Sequence, residues 1–144
     1  SSAASDVYKR QQLDCGNNYQ LTTLDVSNNT ALTELSCANN NQLTTLDVSN
    51  NIALTDLDCF QNQLTTLDVS NNTALTILSC SNNKLTTLDV SNTSLGSSSV
   101  YTPLECNMPT LHTLYLKTGW EIEEINVNRS PTYIPTQTQI LYKD

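Results

Sequence analysis

From Leu43 to Lys84 the chain writes one unit twice. LTTLDVSNNIALTDLDCFQNQ is followed directly by LTTLDVSNNTALTILSCSNNK, a period of 21 residues. The same unit fills Leu21 to Gln42 with one residue more, and a decaying copy can be followed to about Ser130. A unit this short cannot enclose a core alone, so its apolar side chains must be covered by the next copy. The chain is therefore predicted to be a solenoid, and its repeat speaks to architecture more directly than to ligand.

Each unit splits into two half-turns, LxxLxC and LxxLxV. The first series runs Cys15, Cys37, Cys59, Cys80 and Cys106, with Val127 continuing it; the second runs Val26, Val48, Val69, Val90 and Leu116. Steps from the second series to the first are 11 residues, except the 16 from Val90 to Cys106. Five additional residues within LGSSSVY account for that exception and predict a loop at about 94–101. The register then recovers, with Leu104, Cys106, Leu111, Leu114 and Leu116 in the places of Leu78, Cys80, Leu85, Leu88 and Val90. About six turns result, the first and last incomplete.

Within a half-turn apolar and polar residues alternate, as in Leu35-Ser36-Cys37, which predicts a short strand with Leu and Cys inward. Strands recurring once per turn must stack in parallel, leaving little or no regular helix. Two asparagine columns mark the corners: Asn18, Asn40, Asn62 and Asn83 after the Cys strands, and Asn29, Asn51 and Asn72 after the Val strands. An amide carries both donors and acceptors, so each can turn in and satisfy backbone groups freed by the bend. Pro109, Ser130, Thr93 and Gly119 break the columns, and the ladder is expected to fray there.

The segment LTDLDCFQNQL at 54–64 resembles the leucine-rich repeat signature LxxLxLxxNxL, with Cys in the third apolar slot. Paired with LTTLDVSxN, it is similar to the cysteine-ladder repeats of bacterial internalin-like surface proteins and of secreted proteins of Bacteroidetes. The resemblance covers residues 11 to about 119, and LHTLYLKTGWEIEEI with the terminal QILYK looks like a closing cap. It implies a leucine-rich repeat solenoid, a curved right-handed parallel β coil with the Cys strands on its inner face. It also implies an exported protein, secreted or at the cell surface. The divisions expected are an N-terminal flank over 1–12, repeats over 13–119 and a C-terminal cap over 120–144. Arg10 and Tyr101 stand where a half-turn needs its first Leu. Trp120, Ile122, Ile125, Val127, Tyr133, Ile134, Ile140 and Tyr142 offer the apolar surface a cap requires.

Charge narrows the partners. Six Lys and Arg against 14 Asp and Glu give a net charge of −8, the wrong sign for nucleic acid or an anionic membrane. No apolar run approaches the roughly 18 residues a membrane span needs. The opening SSAASDVYKR lacks a signal-peptide apolar core and reads as a mature or trimmed end.

Five cysteines could suggest disulfides or metal, but counterparts one turn apart lie about 4.8 Å apart along a single line. Zinc needs a converging tetrahedron. They are read as buried reduced thiols, with a bridge between neighbouring turns as the alternative; no metal site and no cofactor is expected. The Asp25, Asp47, Asp68 and Asp89 column brings like charges close together. Calcium bridging would relieve it, and so would hydrogen bonds to Thr, Ser and backbone, the reading favoured without a known calcium loop motif. His112, the single histidine, matches the outward slot of Thr86, so no catalysis is expected. The Asn-x-Thr/Ser triplets at Asn28, Asn71, Asn92 and Asn128 are by-products of the repeat.

Differences between turns carry the remaining information. Outward residues on the Val half-turns barely change, whereas on the Cys strands they vary. Phe60 and Ile77 are apolar there, amid Asp14, Glu34, Asp56, Asp58 and Glu105. With Ser79, the residues Glu34, Asp56, Asp58, Phe60, Ile77 and Glu105 form the candidate contact surface for a protein, peptide or glycan, against the reading of scattered exposed side chains. The expected function is a noncatalytic, monomeric interaction module. The alternatives are a structural spacer of a surface protein and, more remotely, a calcium-binding solenoid.

Overall fold

Leu-x-Cys triplets make strands three residues long because each is cut off by a corner two residues past its Cys. Asn17, Asn39, Gln61 and Asn82 occupy that place with φ of 58°, 58°, 54° and 57°. This is the left-handed region, which Asn visits more readily than other side-chain-bearing residues. The chain is then redirected into its Val half-turn. The computed structural model describes residues 10–95, 103–120 and 137–144. In them the repeat winds into a parallel β-solenoid of about four turns, with no helix among the described residues.

Five Cys-side strands form one parallel sheet: β1 (Gln12–Asp14), β2 (Glu34–Ser36), β3 (Asp56–Asp58), β4 (Ile77–Ser79) and β6 (Leu104–Glu105). Leu13, Leu35, Leu57, Leu78 and Leu104 stack in register. The register therefore survives the longer step before Cys106. Of the loop expected at about 94–101, Ser94 and Leu95 are described, with Leu95 buried and Ser94 N donating to Leu75 O at 2.9 Å; the rest, with Tyr101, lies outside the described residues, as does Ser130.

Alternation predicts a strand in every Val half-turn too, and here the structure differs. Strands appear on that side only from Thr87 onward, as β5 (Thr87–Asp89), β7 (Thr113–Lys117) and β8 (Gln139–Lys143) in a three-stranded parallel sheet. Upstream, cross-turn bonds are concentrated on the Cys side, where the amides of Cys15, Cys37 and Cys59 donate to the carbonyls of Ser36, Asp58 and Ser79 at 2.8–2.9 Å.

Between the two sides lies a core of Leu, Val and Cys columns, almost all fully buried from Val26 to Leu116. The asparagines close its corners in two ways. On the Cys side the Asn62 amide nitrogen donates to Cys59 O at 3.1 Å in its own turn and to Cys37 O at 2.9 Å in the turn before. Asn83 repeats this with Cys80 O at 3.0 Å and Cys59 O at 2.9 Å. On the Val side the own-turn carbonyl is taken by backbone, so Asn72 reaches only backwards, to Val48 O at 3.0 Å and Asn51 O at 2.9 Å.

Where the columns break, the corners adapt rather than fray. Thr93 is buried and its hydroxyl donates to Val90 O at 2.7 Å, keeping the local bond. Pro109 is exposed while Met108 is buried, and Leu111 N donates to Met108 O at 3.0 Å to close that turn. Gly119, exposed at φ 90°, turns the chain after β7.

The terminal QILYK adds a rung to the Val-side sheet, with Leu114 against Ile140 and Leu116 against Tyr142. Trp120 and Ile140 pack on the core, while Tyr142 is exposed. Lys143 crosses back over β7, its ammonium 4.0 Å from the Tyr115 ring centroid and 2.5 Å from Asp89 Oδ2. Ile122, Ile125, Val127, Tyr133 and Ile134 lie outside the described residues, and with them the sixth turn that Val127 was expected to carry.

Candidate functional site

On a strand of three residues the central Leu points inward and its two neighbours point out. Stacking five such strands generates two rows on the Cys-side face. One row is Gln12, Glu34, Asp56 and Ile77; the other is Asp14, Ser36, Asp58, Ser79 and Glu105. Between and around them runs a groove of about 670 Å³ whose floor is Leu13, Leu35 and Leu57. Five of its lining residues are carboxylates and none is a cation.

The groove is held by its own side chains. Gln12 Nε2 donates to Glu34 Oε1 at 2.9 Å, Thr55 Oγ1 to Asp56 Oδ2 at 2.6 Å and Ser79 Oγ to Glu105 Oε2 at 3.2 Å. Asp14 and Asp58 each turn one oxygen to the amide two residues on, Gly16 N at 2.9 Å and Phe60 N at 3.0 Å.

Of the sequence candidates, Glu34, Asp56, Asp58, Ile77, Ser79 and Glu105 are brought together here, joined by Gln12, Asp14 and Ser36. Phe60 does not line the groove. It sits past the strand end, at the corner, where its carbonyl accepts from Asn39 N at 2.8 Å. Ile77 pairs instead with Asp56 at the opposite end of the strand. The two apolar side chains are therefore separated along the strand, because neighbours across a sheet are set by register.

The Asp column on the Val side follows the same local rule as Asp14 and Asp58. Asp25, Asp47, Asp68 and Asp89 each accept the amide of the Ser two residues on, at 2.9–3.1 Å. The hydroxyl and amide of Ser27 hold the Asp25 carboxyl below its usual range, and Ser49 and Ser70 do so for Asp47 and Asp68. At Asp89 burial alone would raise the carboxyl, but bonds from Lys143 and Ser91 outweigh it. A smaller cleft of about 280 Å³, lined by Thr65, Thr66, Asp68, Thr87, Asp89 and Asn92 among others, opens on this side.

All five cysteines are free thiols, four buried and Cys15 half-buried. Burial pushes Cys37 and Cys106 up to about 12 and Cys59 and Cys80 well above their usual 9.0. Such thiols are neutral apolar filling rather than nucleophiles. His112 is exposed, bonded through its backbone to Thr86 and Gln139. Among the described residues no group of His, Cys, Asp and Glu is arranged to hold a metal ion, and no helix is long and apolar enough to cross a membrane.

The LVIVD repeat family matches residues 59–81, from just past β3 through β4 to the start of the next corner. No curated protein matches the chain. A solved structure described as the functional domain of InlJ from Listeria monocytogenes, which includes a cysteine ladder, is 27% identical, with a TM-score of 0.43. It covers 91% of this chain and 33% of that one, so the chain spans about a third of the structure it matches. By its own strand order and its column of free cysteines, the chain is a solenoid repeat protein with a cysteine ladder.

Proposed function

We propose that the chain is a noncatalytic interaction module of the leucine-rich repeat type, a coil of about six turns curved toward its Cys side. It acts in an exported protein, secreted or displayed at the cell surface, and binds through its inner face. The observation that supports this is the groove over the five-stranded sheet, with five carboxylates and no cation along it. An open face of this make-up favours a cationic protein or peptide segment lying across the strands over an acidic one. Glu34, Asp56, Asp58, Ile77, Ser79 and Glu105 supply the contacts, and Phe60 borders them from the corner.

Immobilised chain titrated with extended peptides tests the reading. A Lys- and Arg-rich peptide is expected to bind, to weaken as salt rises, and to bind at least about tenfold less to Asp56→Asn/Asp58→Asn/Glu105→Gln. Asn at 58 retains the oxygen that accepts Phe60 N, so circular dichroism should be unchanged. Equal binding of acidic, neutral and basic peptides, or equal binding by parent and variant, contradicts it. A glycan retained equally by parent and variant would replace the peptide as ligand, and no binding to either class would leave the structural-spacer reading.

A further inference from the structure

The outward row that ends each Cys strand reads Asp14, Ser36, Asp58, Ser79 and Glu105, in register on successive rungs and all lining the groove. Carboxylates therefore stand on every second rung, with a hydroxyl on each rung between. Repulsion does not impose that alternation, since the Val side carries Asp25, Asp47, Asp68 and Asp89 on successive turns. The other outward row has no such period: Glu34 and Asp56 are adjacent, and each accepts a bond from a neighbouring side chain, Gln12 and Thr55. Asp14, Asp58 and Glu105 thus form a line of negative charges two strand spacings apart, about 9.6 Å from one to the next and about 19 Å in all.

We propose, resting on the groove as the ligand face, that its occupant is a polyproline II segment with a basic residue at every third position. Side chains on one face of a β-strand recur at about 6.8 Å, so one falls short of the next carboxylate and the following one overshoots it. On an α-helix the nearest same-face match is seven residues, about 10.5 Å, and the excess grows to about 2 Å over two intervals. Polyproline II has three residues per turn and rises about 3.1 Å per residue, so every third side chain points the same way at about 9.3 Å. Two such steps fall within about 1 Å of the row's length. That backbone makes no internal hydrogen bonds, which leaves its polar groups for the Ser36 and Ser79 hydroxyls, able to donate and to accept. Charge agrees with spacing, because no cation lines the groove to compete.

Fluorescence anisotropy of labelled peptides titrated with the full chain tests this. The peptides share length and Lys content in a proline host, with Lys at every second, third or fourth position; another carries the every-third pattern in a Gly-Ser host. The every-third proline peptide is expected to bind at least about tenfold tighter than each of the others. Asp58→Asn, which keeps the acceptor for Phe60 N, should weaken that peptide by a larger factor than Asp56→Asn, because Asp58 alone of the two lies on the periodic row. Circular dichroism checks that both variants fold as the parent does. Equal, salt-sensitive affinity for all the peptides overturns the period while leaving the groove a site for cationic segments. Tightest binding of the every-second or Gly-Ser peptide overturns the polyproline II conformation, and a larger loss at Asp56 than at Asp58 overturns the assignment of the row. No binding by any of them removes the groove reading together with the proposal.

Discussion

Asn62 shows how much of this fold depends on single amides. Its nitrogen joins carbonyls of two successive turns, so Asn62→Ala removes that bridge, although Cys37 O keeps the Asn40 amide and Cys59 O the Asn83 amide as donors. A loss of about 1–3 kcal/mol is expected from urea unfolding; a loss under about 0.5 kcal/mol would deny the amide its bridging role. The neighbouring Gln61 carries φ 54° where the other three corners have Asn. Gln61→Asn should therefore stabilise by about 0.5–1 kcal/mol. The asparagines that turn inward were legible from their spacing, but their partners at Cys plus two were overlooked, although CGNN, CANN and CSNN carry two Asn with separate tasks. The Asp-x-Ser pattern was likewise visible, and only the coordinates show that its acceptor serves the amide of the Ser. Thiols add a pH dependence: since folding raises their titration from 9.0, to about 12 at Cys37 and Cys106, the neutral thiol favours the fold below pH 9. That contribution is lost as pH rises from 9 toward 12. Denaturant midpoints should be level up to about pH 9 and fall above it, with Cys80→Ala flattening the decline by up to about 1.4 kcal/mol per pH unit.

At the scale of elements, the two sides of the coil differ in what holds them. The Cys-side amides carry ladder bonds from turn to turn, and the Val-side segments ahead of Thr87 do not form strands. Hydrogen exchange should thus be slower at the amides of Cys37, Cys59 and Cys80 than at those of Leu46 and Leu67, although all these side chains are buried. Equal protection on both sides would contradict this asymmetry. Period-2 alternation could not reveal it, because LTTLDV and LTDLDC alternate alike, and whether a segment becomes a strand depends on how far away its counterpart lies. The last strand was hard to place for a related reason. QILYK follows Thr113–Lys117 by 26 residues, off the repeat, so its register against β7 comes from packing of Ile140 on the core. The Lys143–Asp89 pair that ties it across β7 is nearly half exposed on both partners, and Lys143→Met should leave the urea midpoint almost unchanged. The separation of Phe60 from Ile77 is also a property of register, invisible to a reading that took both as outward residues on adjacent strands.

For the whole molecule, the repeat dictated both the coil and its stacked columns, and the longer step before Cys106 left the register intact. What it could not supply is which face does what. A groove is a relation among residues 22 and 21 positions apart, and its acidic lining comes from the few outward sites where turns differ. Stability in such a stack is carried by contacts between neighbouring turns, so the account stands on counterparts being neighbours. Methyl-labelled Leu side chains test that directly through nuclear Overhauser contacts. Strong cross-peaks are predicted between Leu35 and Leu57 and between Leu57 and Leu78, which share a register, with a much weaker one between Leu35 and Leu78. Absence of the first two, or contacts confined to residues close in sequence, would contradict the stacked coil and everything derived from it.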